Sequence, residues 1–210
     1  MLLAGTLLRR GHRTSHPDPT QLVPGVGQTR FAPYPDVAHV YVAQTAFAAL
    51  LESALHDTAG PGPQLPMVVL DRWAEAEVEL ADDVRLIDLR DRELDRLGLA
   101  REQLVSTAAG HYPCTRAWAE PLQGRRIGGH VTHGLIWNSR QAELHAASVA
   151  DRPALADLVD HHPTDVAVLW SPPAGPHLLR PGQGGLGPLA AGPGHGYVRD
   201  LANLLGIPIE

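Results

Sequence analysis

The sequence contains no lysine and a single cysteine, and each shortage excludes a class of protein. All 17 basic residues are arginine, so the chain has no amine for a P-loop phosphate site, a Schiff-base cofactor or a lysine general base. The lone Cys114 cannot form an internal disulfide or supply a multi-cysteine zinc or iron–sulfur site. We therefore expect a reducing, cytoplasmic setting, with Cys114 as a small buried side chain.

Positive charge and long apolar runs are also scarce. A formal net charge of −6 argues against a protein that coats nucleic acid. No apolar run approaches the roughly 18 residues of a membrane-spanning helix. The mostly apolar first eight residues precede arginines, the reverse of the order in a secretory signal. We therefore expect no direct nucleic-acid binding, no membrane segment and no targeting segment.

The composition is otherwise that of one globular domain, with 44% apolar residues in a chain of 210. Short apolar runs predict strands at residues 2–8, 37–43, 67–80, 84–89, 134–137 and 166–170. Helical spacing and caps predict helices at residues 45–55, 90–97, 115–122, 153–159 and 197–205. Strands and helices do not alternate strictly, which favours an α+β fold, a mixed sheet with flanking helices.

Two long segments have little regular pattern. Residues 12–36 are predicted to form a long loop, because they are rich in proline, glycine, threonine and aspartate. Residues 171–210 are predicted to be a Gly/Pro-rich tail whose short C-terminal helix packs on the domain formed by residues 1–170. The expected function of this tail stays open between a lid over the site and a passive surface loop.

Two motifs for cofactors and metals fail on their context. Gly182, Gly184 and Gly187 have the spacing of a dinucleotide-binding turn, but no strand precedes them and a proline follows, so we predict a flexible loop. His130 and His133 have metal-like spacing but no nearby carboxylate to complete a ligand set. We therefore expect no metal site.

Four polar residues lie on the best-defined elements of the chain. They are Arg30 in QTRFAPYPD, Tyr41 in HVYVAQT, Glu52 in AFAALLESALHD and Ser139 in GLIWNSRQA. Taken singly, each favours a structural interpretation, since Glu52 lies off the apolar stripe of its helix and Tyr41 lies in an apolar strand. Together with the later YPCTRAWA, this order and spacing resemble the RES domain family, over roughly residues 7–170.

The resemblance implies a fold similar to that of ADP-ribosyltransferase toxins. It also implies a toxin of a bacterial toxin–antitoxin pair that acts as an NAD phosphorylase or NAD glycohydrolase. NAD would be the substrate, inorganic phosphate a candidate co-substrate, and no cofactor would be needed. The implied partner is an antitoxin with a helix-turn-helix domain that inserts a segment into the pocket, and a homodimer is compatible with the family.

Residues of the family pattern carry over to this sequence one by one. Glu52, Arg30, Tyr41 and Ser139 match its catalytic positions. Further arginines near the start of the domain and after the serine match at Arg9 or Arg10 and at Arg140, as substrate-binding residues. Two other functions stay open: an ADP-ribosyltransferase that modifies a macromolecule, and a non-catalytic domain that binds a nucleotide.

The chemistry of these residue types suits cleavage of NAD. Loss of nicotinamide gives a transition state that resembles an oxocarbenium ion, and the Glu52 carboxylate can stabilise it. Arg30 offers a planar fork of donors to the diphosphate. Tyr41 offers a ring face and a hydroxyl, and Ser139 can hydrogen-bond a ribose hydroxyl, a phosphate or an incoming nucleophile.

Overall fold

The structure, a computed structural model, describes residues 1–24, 29–32, 37–56, 64–150, 164–171 and 177–210. Its strands are β1 (Leu7–Arg13), β2 (Val23–Pro24), β3 (Ala38–Ala43), β4 (Trp73–Leu80), β5 (Leu86–Asp88), β6 (Arg126–Ile127), β7 (His130–Val131), β8 (Gly134–Asn138), β9 (Asp165–Ser171), β10 (Leu179–Pro181) and β11 (Gly187–Pro188). Its helices are α1 (Ala46–Leu51), α2 (Met67–Leu70), α3 (Asp91–Arg96), α4 (Arg101–Leu104), α5 (Tyr112–Ala119), α6 (Arg140–Ala150) and α7 (Gly192–Leu205), with 3₁₀ turns at Ala109–His111 and Glu120–Leu122.

One mixed sheet organises the domain, with strand order β10-β4-β1-β3-β9-β8-β5. Its neighbours are antiparallel except β5 and β8, which run parallel. β11 adds to the edge of β4 and β2 to β3, while β6 and β7 form a separate hairpin. The result is a single α+β domain, as the sequence pattern predicts. In the described parts of the chain, no helix is long and apolar enough to cross a membrane.

The two faces of the sheet bury different side chains, because successive residues of a strand point to opposite sides. One face carries Tyr41, Ala43 and Trp137 and packs against α1, α5, α6 and α7. The other face carries Leu8, Val40 and a smaller apolar cluster. The larger cluster lies beside every predicted catalytic residue.

The central elements agree with their sequence signals. β3, β8 and β9 lie where the β-branched runs predict strands. Thr45 caps α1, since its side chain accepts a hydrogen bond from the Ala48 amide at 3.1 Å. The helix is shorter than the predicted 45–55, but all its residues are buried. Gly98 follows α3 with φ of +68°, the left-handed conformation that favours glycine.

Two strand predictions are wrong at their ends. The first strand is not at residues 2–8 but begins at Leu7, after a turn at Gly5, and continues to Arg13 because every residue pairs with β4. The predicted loop over residues 12–36 therefore starts later than expected and contains β2. Residues 67–70 form the helical turn α2 after Pro66 instead of the start of a strand, so tertiary context overrides the β-branched Val68 and Val69.

Two other expectations, for the tail and for Cys114, need correction. The tail is not patternless, since β10 and β11 pair with β4 and the final helix begins at Gly192 instead of residue 197. Helix α6 over residues 140–150 carries too weak an apolar stripe to be predicted, and the predicted helix at 153–159 lies outside the described residues. Cys114 is exposed instead of buried, because it lies on the outer side of α5.

Candidate active site

Glu52 and Ser139 meet although they are 87 residues apart in the chain. Glu52 is the first residue after α1, and Ser139 lies between β8 and α6. The Ser139 hydroxyl donates to Glu52 Oε1 at 2.5 Å and accepts from the Ala142 amide at 3.1 Å. Ser139 therefore caps α6 and holds the carboxylate at the same time.

This contact decides what the Ser139 hydroxyl can do. A serine hydroxyl has one proton, and here it is directed at Glu52. Ser139 is also fully buried, so its hydroxyl orients Glu52 and does not face a ligand. Glu52 Oε2 has no hydrogen-bond partner among the described residues, which leaves one carboxylate oxygen available.

Glu52 lines an open pocket of about 290 Å³. The other lining residues come from β1, β3, α1, β8 and β9: Gly11, Tyr41, Val42, Ala43, Ala49, Ser53, Trp137 and Val166. Position 11 requires a glycine, because a Cβ there would lie 2.1 Å from Ser53 Oγ and clash with it. The missing side chain lets the end of α1 approach β1 closely.

Tyr41 lies on the same face of the sheet and borders the pocket. Its hydroxyl and that of Thr29 are 2.8 Å apart. Its ring makes edge contacts with Trp137 and His39, at centroid distances of 6.3 and 5.7 Å. Burial raises the pKa of the Tyr41 hydroxyl well above its ordinary value. Tyr41 is therefore a neutral hydrogen-bonding group and not a base.

Arg30 is held from two sides near Tyr41. Its Nη2 donates to the Thr107 carbonyl at 3.0 Å, and its guanidinium lies 5.2 Å from the centre of the Tyr112 ring. Its buried Nε has no hydrogen-bond partner within the described part of the chain. A buried donor without a partner is costly, so Arg30 retains unmet capacity for an acceptor.

The backbone next to Arg30 is strained. Phe31 has φ of +55°, a left-handed conformation that L-residues rarely adopt. Its fully buried ring packs against Trp137 at 5.1 Å and Trp118 at 6.4 Å. This packing offsets the strain, which costs about 1–3 kcal/mol, and fixes where Arg30 leaves the chain.

The two adjacent arginines of β1 lie on opposite faces of the sheet. Arg9 shares the face of the pocket, where its Nε and Nη2 contact the Glu75 carboxylate at 2.6 and 2.9 Å and its Nη1 contacts Glu77 at 3.4 Å. Arg10 is buried on the other face and donates to the carbonyls of Pro19 and Gln21. Arg9 is thus the arginine of this pair on the side of the site.

Arg140 and the two histidines with metal-like spacing are not among the residues that line the pocket. Arg140, the first residue of α6, is exposed. His130 is exposed, and the His133 ring accepts from the Arg85 amide at 3.1 Å. Within the described ranges, no group of three or more metal-ligating side chains comes together.

Sequence reasoning assigned no role to several residues that shape the site. Tyr112 lies over Arg30 and Trp137 lines the pocket, and both stand in the motifs YPCTRAWA and GLIWNSRQA that carry the resemblance. Ser53 follows Glu52 directly and could have been found by proximity. Gly11 gave no signal, because its role depends on a helix that approaches it from elsewhere in the chain.

The comparisons with known proteins agree with this geometry. The model of the RES domain family matches residues 6–172. No curated protein matches the chain. The fold is similar to one in the crystal structure of the M. tuberculosis MbcT–MbcA toxin–antitoxin complex, with a TM-score of 0.53 and 13% identity, over 89% of this chain and 87% of that chain. At this identity the likeness shows a shared fold alone.

Proposed function

The chain belongs to the RES domain family, and from that premise we propose that it consumes NAD by breaking the bond between nicotinamide and ribose. ADP-ribose is transferred to phosphate, which makes the protein a phosphorylase, or to water, which makes it a glycohydrolase. The observation that carries the proposal is the 2.5 Å hydrogen bond by which Ser139 orients Glu52 beside an open pocket.

Glu52 would act on the charge that develops at the ribose. As the bond breaks, its electron pair leaves with nicotinamide and the anomeric carbon becomes positive. A fixed carboxylate stabilises that charge without reorganising. Glu52 Oε2, which has no hydrogen-bond partner in the described part of the chain, is available for this contact, while Oε1 is held by Ser139. Ser139 is then a positioning residue.

Arg30 and Tyr41 would bind the rest of the dinucleotide. The nicotinamide and its ribose would enter the open pocket that Glu52 lines, with Tyr41 at its wall. Arg30 would hold the diphosphate, because its guanidinium makes one hydrogen bond among the described residues, from Nη2 to the Thr107 carbonyl. Arg9 is the weaker candidate because Glu75 and Glu77 already contact all three of its nitrogens.

Mass analysis of the products tests this proposal. Purified protein is incubated with NAD, with and without inorganic phosphate. NAD loss that depends on phosphate and yields ADP-ribose phosphate identifies a phosphorylase, and phosphate-independent loss to ADP-ribose identifies a glycohydrolase. No loss of NAD from folded protein freed of any bound partner would overturn the proposal.

A matched pair of variants tests the role of Glu52. Glu52→Gln should lower turnover by about 10² to 10³, the usual cost of removing one electrostatic contact to a transition state. Glu102→Gln, the same change at an exposed position of α4, should leave turnover unchanged. Equal turnover in the two variants would contradict the assignment.

We propose further that the protein is the toxin of a toxin–antitoxin pair and binds an antitoxin with a helix-turn-helix domain. The structurally similar MbcT–MbcA structure is that of a toxin–antitoxin complex. Co-expression with the product of the adjacent gene should give a co-purified complex in which NAD loss is suppressed. Failure of that product to bind or to suppress the activity would count against this partner.

A further inference from the structure

Arg101 makes contacts that the pocket chemistry does not use. Its Nη2 donates to the Asn138 carbonyl at 2.9 Å and its Nε to Ser106 Oγ at 3.3 Å. Its Nη1 contacts the carboxylates of Asp91, at 3.0 Å, and Glu143. The side chain is 20% exposed. One guanidinium therefore ties α4 to α3, β8 and α6.

Two of these contacts flank Ser139. Asn138 is the residue before Ser139, and Glu143 lies one turn after it in α6. The Glu143 amide donates to the Ser139 carbonyl at 3.0 Å. Arg101 thus holds the chain on both sides of the residue whose hydroxyl orients Glu52.

The other end of the same segment reaches Arg30. The chain folds back after Arg101, since the Ser106 amide donates to the Arg101 carbonyl at 2.9 Å. The next residue, Thr107, accepts from Arg30 Nη2 at 3.0 Å. Residues 101–107 therefore contact Arg30 directly and hold Asn138 and Glu143 on the two sides of Ser139.

We propose that Arg101 is a positioning residue that holds Arg30 and the Ser139–Glu52 pair in one fixed arrangement. This inference rests on the proposed NAD cleavage. Arginine suits the task because its planar fork reaches a carbonyl, a hydroxyl and two carboxylates at once, whereas a lysine ammonium is a single point of charge. Arg101→Lys keeps the charge and loses the fork.

A double-mutant cycle on turnover tests whether Arg101 acts through Ser139. Arg101→Lys should lower kcat at least about tenfold, since small misplacements far from the reacting atoms can cost up to about 100-fold. In the Ser139→Ala background the same substitution should lower kcat less than about threefold. Arg96→Lys, at an exposed arginine whose partner among the described residues is Glu93, should have no effect. Independent, multiplying losses would overturn the inference.

Amide hydrogen exchange tests the arrangement without any turnover. The amides of Ala142 and Glu143 both donate to Ser139, so their exchange should be faster in Arg101→Lys by about tenfold or more and unchanged in Arg96→Lys. Unchanged exchange in Arg101→Lys would refute the positioning role.

The two readouts separate this inference from the proposed function. If the wild type does not consume NAD but the amides exchange faster in Arg101→Lys, the proposed reaction fails and the structural coupling is supported. If the wild type consumes NAD and the losses multiply, the reaction is supported and the coupling through Arg101 is overturned.

Discussion

Two sets of arginine and glutamate side chains lie on the pocket side of the sheet. They differ in whether their hydrogen-bonding groups have partners. Beside β4, all three guanidinium nitrogens of Arg9 contact the carboxylates of Glu75 and Glu77, and these three residues form what we call the saturated cluster. Glu52 Oε2, at the pocket, and Arg30 Nε, which is outside the pocket lining, have no partner among the described residues. Saturated ion pairs hold a structure, while groups left unmet at a pocket are available to a ligand. Hydrogen-bond satisfaction therefore separates charges that hold the fold from charges that are available to a ligand better than residue type does.

The saturated cluster also fastens the tail. The Gly184 amide donates to Glu77 at 2.9 Å and the Leu186 amide to Glu75 at 2.7 Å. The predicted flexible loop at residues 182–187 is thus a strap along β4. It lies beyond the family match, which ends at residue 172, yet it joins the sheet through β10 and β11.

The largest effect is expected at the saturated cluster. Arg9→Ala leaves the fully buried Glu75 carboxylate without its charged partner, which should lower the free energy of unfolding by about 3–5 kcal/mol. Urea denaturation measures this loss. The control Arg92→Ala, at an exposed position of α3, should change the stability by less than about 0.5 kcal/mol. Equal stability of both variants would show that Arg9 stabilises the fold no more than an exposed arginine does.

At the pocket the loss should fall on activity instead. Ser139→Ala removes the group that orients Glu52 and should lower turnover about 100-fold. The loss of the cap on α6 should cost about 1 kcal/mol of stability. Steady-state kinetics and denaturation of the same preparation check both numbers. If the variant loses stability but keeps its turnover, Ser139 stabilises the fold and is not needed to orient Glu52 for the reaction.

The strap can be tested through a single amide. Leu186→Pro removes the N–H that donates to Glu75, and a hydrogen bond to a charged group contributes about 1.5–3 kcal/mol. Leu186→Ala removes the side-chain packing but keeps the amide, so it is the matched control. The proline variant should unfold at lower urea than the alanine variant. Equal midpoints would show that the strap is held by packing alone.

Tyr41 should give the smallest effect. Tyr41→Phe keeps the ring and removes the hydroxyl that contacts Thr29. The loss of this hydrogen bond should lower the free energy of unfolding by about 0.5–1.5 kcal/mol. Because burial raises the pKa of this hydroxyl, it stays protonated below about pH 10. The turnover–pH profile of the variant should therefore have the wild-type shape at a lower height. A basic limb present in the wild type and absent from Tyr41→Phe would contradict this.

Local signals predicted the centre of the molecule well. Thr45 as a cap, the buried spacing of Phe47 and Leu50, and the strands β3, β8 and β9 follow from residues close in sequence. The α+β class followed from their order. The bounds of β1 and the strand β10 were not predicted, because both depend on pairing with β4, which no local pattern encodes.

The sequence predicted which residues belong to the candidate site but not how they are arranged. The resemblance pointed to Glu52 and Ser139, and the structure joins them by one hydrogen bond. The helical pattern alone would put Glu52 in solvent, because the pattern does not contain the β8–α6 junction that covers it. The sequence left open which of Arg9 and Arg10 faces the pocket side of the sheet, and the pairing of β1 with β4 puts Arg9 on that side.

The strap also covers what would otherwise be an open edge of the sheet. β4 pairs with β1 on one side, and its partners on the other side are the short strands β10 and β11. An unpaired edge strand offers free backbone N–H and C=O groups to another chain and favours aggregation. Without residues 179–188 that side of β4 would be unpaired, so the strap protects the protein from edge-to-edge association.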